Sequence, residues 1–201
     1  DEFAMITLQE TMQKAQNQFI KLSLVTCQAK RLKPLFKTIE EMKNLKKFSV
    51  RLNESSDIES VNALEEFTNS LKRIQSLRRL KVQGRNILDQ EQNQEASTET
   101  PIKSLDGFSQ ITSFSFREKN QCIDKALWSC FSASISKLTQ LQILILKTKT
   151  LKVIDMSPDA NGFLDFFEGI KNLQNLRIFT FDMYYPNYAP KIHGSKIFPI
   201  L

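Results

Sequence analysis

Apolar residues recur along the chain in a compound rhythm. In Leu64–Gln83, the residues Leu64, Phe67, Leu71 and Ile74 are spaced three, four and three apart, as on one face of a helix. Leu77, Leu80 and Val82 then shift towards alternation, as in a strand. The same switch recurs upstream. Residues 5–25 carry Met5, Leu8, Met12 and Ala15 before Phe19, Leu22 and Leu24, and residues 32–52 carry Leu32, Leu35, Ile39 and Met42 before Leu45, Phe48 and Val50. Downstream, residues 127–147 hold Trp128, Phe131, Ile135 and Leu138 before Leu141, Leu144 and Leu146. Residues 163–182 repeat the pattern with Phe163, Phe166, Ile170, Leu173, Leu176, Phe179 and Phe181. Between them, residues 105–117 keep only the tail (Leu105, Phe108, Ile111, Phe114, Phe116). The two upstream helix positions fall on Thr98 and Pro101, so the helix there is predicted short or missing.

Each unit predicts a helix followed by a strand, giving about six units within an array over residues 1–184. The central strand residues Leu22, Phe48, Leu80, Phe114, Leu144 and Phe179 lie 26, 32, 34, 30 and 35 residues apart. The polar run at 89–100 reads as a surface loop, and 185–201, rich in proline and aromatic residues, as an irregular tail or the start of a further repeat. Pro34 is expected in the first turn of its helix, and Ser60 or Asn62 to cap the helix at Leu64. Glu40-Glu41 and Glu65-Glu66 are expected near helix starts, where negative charge complements the dipole. One such unit cannot bury its apolar side alone, so copies must stack.

The tails LKKFSVRLN (Leu45–Asn53), LRRLKVQGRN (Leu77–Asn86), ITSFSFREKN (Ile111–Asn120), LQILILKTK (Leu141–Lys149) and LRIFTFDMY (Leu176–Tyr184) resemble the leucine-rich repeat signature L-x-x-L-x-L followed by a polar residue, with Phe replacing Leu at several positions. The resemblance is to the longer-repeat, ribonuclease-inhibitor-like class. It implies an α/β solenoid with short parallel strands on the concave face and helices on the convex face. It also implies protein–protein recognition and brings no active site. An ordinary helix-rich domain would share the helical spacing but not the unit-by-unit switch of period. A doubly wound sheet would suit parallel strands, but no Gly-rich phosphate loop accompanies them.

If the central strand residues face the core, alternation sends their neighbours to the open face. That face then carries Lys21 and Ser23; Lys47, Ser49 and Arg51; Arg79, Lys81 and Gln83; Ser113, Ser115 and Arg117; Ile143, Ile145 and Lys147; and Ile178, Thr180 and Asp182. The expected columns are Ser23, Arg51, Gln83, Arg117, Lys147 and Asp182, beside Lys21, Ser49, Lys81, Ser115, Ile145 and Thr180. A basic patch over the first four strands gives way to an apolar one over the last two. The net charge of +6 and pI near 9.2 favour acidic partners.

The rest of the composition removes chemistry. Gly is scarce, at five residues, and neither G-x-G-x-x-G nor G-x-x-x-x-G-K-[ST] occurs, so no cofactor is expected. The single histidine, His193, reads as a solvated side chain, lacking the partners of a base or a metal ligand. Cys27, Cys122 and Cys130 have neither metal-binding spacing nor an even count; they suit buried thiols and a reducing, intracellular compartment. No apolar run of about 18 residues and no signal peptide is expected.

The pattern therefore points to a non-enzymatic recognition or scaffold module, part of a larger protein or assembly. Its partner would be a protein with an acidic or mixed acidic and apolar surface, held on Lys21, Lys47, Ser49, Arg51, Arg79, Lys81, Gln83, Ser115, Arg117, Ile143, Ile145, Lys147, Ile178, Thr180 and Asp182. Two alternatives stand beside it. One is a basic subunit of a nucleic-acid-containing complex that contacts phosphates, disfavoured because the aromatics are assigned to the core. The other is the targeting arm of an enzyme whose catalytic domain is not in this chain.

Overall fold

A computed structural model describes residues 2–53, 58–85, 105–118, 125–149, 163–184 and 192–197. Within these, helix and strand alternate: α1 (Glu2–Lys14), β1 (Lys21–Cys27), α2 (Ala29–Glu40), β2 (Lys47–Asn53), α3 (Ile58–Lys72), β3 (Arg79–Arg85), β4 (Ser113–Glu118), α4 (Lys125–Ile135), β5 (Ile143–Lys149), α5 (Phe163–Lys171), β6 (Ile178–Tyr184) and β7 (Ile192–Ile197). The strands form one sheet in chain order, with β1 through β6 all parallel. Because the order of the described strands never reverses, they show no switch point of the kind that defines a doubly wound sheet.

The switch of period in the sequence has a direct structural meaning. Leu22, Phe48, Leu80, Phe114, Leu144 and Phe179 stand in register on adjacent strands. Two residues on, Leu24, Val50, Val82, Phe116, Leu146 and Phe181 form a second column. Helix residues close over these columns. The Phe67 ring lies 5.6 Å from Phe48 and 5.4 Å from Phe36, and Phe131 lies 6.3 Å from Phe114 and 5.7 Å from Phe116. Phe166 sits 6.0 Å from Phe131 and 6.3 Å from Phe179, which ties α5 to the helix before it and to its own strand. Among the described residues, the helices contact one another as α1–α2–α3 and as α4–α5.

A repeated hydrogen-bond scheme sets the register. Before each strand from β2 to β6, two consecutive three-residue steps turn the chain, as when Met42 N–H donates to Ile39 and Leu45 N–H to Met42. One carbonyl of each unit then accepts two N–H groups from the next: Ile20 from Lys46 and Lys47, Lys46 from Arg78 and Arg79, Arg78 from Thr112 and Ser113, Thr112 from Gln142 and Ile143, and Gln142 from Arg177 and Ile178. Polar side chains four residues before the central one reinforce this. Asn44 donates to the Asn17 carbonyl at 2.8 Å, Ser76 to Leu45 at 2.9 Å, Gln110 to Ile74 at 3.2 Å and Asn175 to Thr139 at 2.9 Å. The turn carbonyls are thereby satisfied by the following unit.

Ten residues before the central one, Thr38, Ser70, Ser134 and Gly169 are all small and buried. At Gly169 a Cβ would lie 2.1 Å from Ser132 Oγ and 3.1 Å from the Ser132 carbonyl oxygen, so the approach of α5 to α4 requires glycine.

Several local expectations are corrected. Pro34 is the sixth residue of α2 rather than part of its first turn, so it removes an interior backbone hydrogen bond from an exposed face. Ser60 and Asn62 lie inside α3, which begins at Ile58, and cap nothing at Leu64. Glu40 ends α2 and Glu41 is its C-cap; Glu40 instead binds Arg73 of the next unit at 2.8 Å. Glu65-Glu66 lie mid-helix. In the segment after 184, Ile192–Ile197 is a strand that runs antiparallel to β6, so it is neither irregular nor a continuation of the parallel series.

The 89–100 run, Thr98, Pro101 and Cys122 lie outside the described residues, as do the side chains of Met5, Cys27, Leu64, Trp128, Cys130, Phe163 and His193. Among the described residues no helix is long and apolar enough to cross a membrane.

Candidate functional site

With the helices on one face of the sheet, the side chains alternating with the core columns lie on the other. In register, Lys21, Lys47, Arg79, Ser113, Ile143 and Ile178 form one row across the strands. Ser23, Ser49, Lys81, Ser115, Ile145 and Thr180 form the next, and Arg51, Gln83, Arg117, Lys147 and Asp182 a third. The expected columns are therefore corrected in the first strand. Lys21 lies beside Lys47 and Ser23 beside Ser49, not beside Ser49 and Arg51. The physical reason is that Leu22 and Leu24 pair with Phe48 and Val50, and the open-face residues must follow that pairing.

This register brings three cations together on neighbouring strands about 4.8 Å apart. Lys21, Lys47 and Arg79 are all exposed and form no ion pair with any described residue. Like charges directly opposite one another destabilise a sheet. Lys81 and Arg117 are also exposed and add to the same half. Of the open-face positions whose side chains are described, only Asp182 carries a carboxylate, and it sits 3.3 Å from Lys147 at the far end. Among the described residues, Lys21, Lys47 and Arg79 thus have no carboxylate on their own face of the first strands.

The predicted site residues do not all share one environment. Lys21, Lys47, Arg51, Arg79, Lys81, Arg117 and Ile178 are exposed, Ile178 at 42%. Ser49, Ser115, Ile143, Ile145, Lys147, Thr180 and Asp182 are half-buried. Gln83, expected on the open surface, is buried, with only 6% of its surface accessible. Its register neighbours are Arg51 and Arg117 on the flanking strands, although strand alternation alone would expose it.

Signals the sequence reading missed lie at the helix end of the strands. Lys46 and Arg78 are exposed immediately before Lys47 and Arg79, so dibasic pairs stack on successive strands. Farther along the same flank, Lys72 packs against Gly107, whose φ is +98°. Burial pushes the Lys72 ammonium below the ordinary lysine value, although Asp106 and Glu65 nearby act in the opposite direction. Among the described residues no group of three or more His, Cys, Asp or Glu side chains is placed to hold a metal ion.

Comparison of the chain with protein-family models, with curated proteins and with solved structures found no match.

Proposed function

We propose that the chain is a leucine-rich-repeat-like solenoid whose open sheet face, the concave one, recognises another protein through an acidic or mixed acidic and apolar segment. The observation that carries this is the row Lys21–Lys47–Arg79, three cations held in register on adjacent strands with no carboxylate beside them among the described residues, continuing into Ile143 and Ile178. Such a row costs the fold stability and is relieved when an anion lies on it. An extended segment crossing the strands would set its acidic residues over β1–β4 and an apolar residue over Ile143, Ile145 and Ile178. The reading includes no catalytic step: the described face offers cations, hydroxyls and isoleucines, and its one described carboxylate, Asp182, is held by Lys147.

The stacked dibasic pairs Lys46-Lys47 and Arg78-Arg79 favour one second reading, phosphate contacts to a nucleic acid. It is the weaker one because Phe48, Phe114 and Phe116 are buried and unavailable for base stacking.

Titration of the chain with a labelled peptide, acidic in its first half and leucine-rich in its second, separates the two. The peptide should bind more tightly than a single-stranded oligothymidylate of equal charge at 0.15 M salt. Lys47→Glu, Arg79→Glu and Lys81→Glu together should abolish peptide capture with the far-UV spectrum unchanged. Unaltered peptide binding by that triple variant would remove the open face as the site.

A further inference from the structure

Within the open face, the block formed by β2, β3 and β4 offers one kind of chemistry throughout. Lys81 stands at its middle, with Ser49 and Ser115 as its register neighbours on the flanking strands. Two residues to either side of Lys81 along β3 are Arg79 and Gln83, on the same face of the sheet. The corners are Lys47 and Arg51 on β2 and Ser113 and Arg117 on β4. Each of these side chains donates hydrogen bonds, and none is a carboxylate or apolar. One strand farther on the character changes, because Ile143 and Ile145 stand beside Ser113 and Ser115.

The donors are graded in exposure. Lys47, Arg79, Lys81 and Arg117 are exposed, whereas Ser49, Ser113 and Ser115 are half-buried and Gln83 is buried. Hydroxyls set lower than the surrounding cations suit an anion that presents several oxygens at once. A row of carboxylates fits less well. Lys47 and Arg79 lie about 4.8 Å apart across the strands, while same-side residues of an extended segment repeat at about 6.6–6.8 Å, so successive carboxylates fall out of step with the cations. A phosphate monoester carries about −1.5 to −2 charge and three acceptor oxygens on one group, and so spans neighbouring strands by itself.

We infer that the anion taken by this block is the phosphate of a phosphorylated residue in the partner segment, an inference that rests on the reading of the open face as a protein-binding surface. Lys81 and Arg79 supply the charge, and the Ser49 and Ser115 hydroxyls donate to the remaining oxygens. The apolar half of the face sets the rest of the motif. From β3, the isoleucines of β5 and β6 lie two and three strands away, about 10–14 Å. In an extended segment the same-side residue four positions from the phosphorylated one lies about 13 Å away, which carries an apolar side chain to Ile143, Ile145 and Ile178. A protein is favoured over a lipid headgroup or a nucleic-acid backbone because only a protein segment has an apolar side chain to place at that distance.

The test follows, by fluorescence anisotropy at 0.15 M salt, a labelled nonapeptide with phosphoserine at its centre, leucine at both ends, and glycine and asparagine elsewhere. The unaltered chain should bind it at least about tenfold more tightly than the same peptide with glutamate at the centre; this arm needs no variant to fold. Ser49→Ala combined with Ser115→Ala should weaken the phosphopeptide at least about fivefold and leave the glutamate peptide within about twofold, and Lys81→Gln should weaken the phosphopeptide at least about tenfold. No saturable binding of the phosphopeptide, or equal binding of the two peptides, overturns the phosphate assignment and leaves the open-face reading to its own test, the triple glutamate variant with the acidic–apolar peptide. A phosphate preference unchanged in both the serine pair and Lys81→Gln overturns the placement at this block. Tighter binding to vesicles containing phosphatidylinositol bisphosphate, or to an oligothymidylate of equal charge, overturns the assignment to a protein segment.

Discussion

The open face over β1–β4 and that over β5–β6 are built on the same scaffold and end in opposite surfaces. In both, one carbonyl grips two N–H groups of the next unit, and two apolar columns run beneath. In the first half the intervening positions hold Lys21, Lys47, Arg79, Lys81 and Arg117 without a carboxylate; in the second they hold Ile143, Ile145 and Ile178, and the cation Lys147 is matched by Asp182. The core-facing positions are constrained by packing, whereas the open positions vary freely from unit to unit. A surface that departs from charge balance at a stability cost is where a partner is to be sought.

Core truncation should separate the two halves most sharply. Phe67→Ala and Phe166→Ala each remove a buried ring that joins neighbouring units and should cost about 3–5 kcal/mol by chemical denaturation. Because the helices pack in two groups, hydrogen exchange should rise mainly in α2–α3 for the first and in α4–α5 for the second. Equal loss of protection across both halves would show a single cooperative block. Next in size, Gly169→Ala drives a methyl into Ser132 and should cost roughly 1–3 kcal/mol, a penalty that Ser70→Ala in the first half should not show.

Smaller effects probe the seams and the surface. Asn175→Ala and Ser76→Ala each remove one inter-unit hydrogen bond and should lower stability by about 0.5–1.5 kcal/mol. Lys47→Glu should do the opposite. By turning the run of three cations into alternating charge it should stabilise the chain by about 0.2–1 kcal/mol while weakening binding of the acidic–apolar peptide, a pairing of signs expected where charge serves recognition. Weakest of all, Lys72→Met should slightly raise the thermal midpoint at neutral pH. Burial holds the folded-state value below the unfolded one, so between the two the unfolded chain binds more protons and stability rises with pH. The variant should flatten that rise, which thermal melts at several alkaline pH values would detect.

Much of this architecture was legible in the chain. The change from helical spacing to alternation located the strands, and the six central residues do stand in register. The apolar periodicity carried no information on Asn44, Ser76, Gln110 and Asn175, although their fixed position was a signal of its own. The small residues Thr38, Ser70, Ser134 and Gly169 leave no trace in that periodicity either: it marks large apolar side chains, not the positions where their absence lets helices meet. Helix ends at Pro34, Ser60 and Glu40 depart from the sequence expectation, since caps depend on one or two residues while the stripe draws on many.

What the sequence determined by itself is which side chains face inward, because the period of two in a strand and of 3.6 in a helix is a property of the local backbone. What only the tertiary structure decided is who stands beside whom. The alignment of Lys21, Lys47 and Arg79 and the burial of Gln83 on the strand between those of Arg51 and Arg117 both depend on the register between strands and on neighbours far apart in the chain. Register is set where one unit's carbonyl meets the next unit's N–H groups, and no single unit contains both.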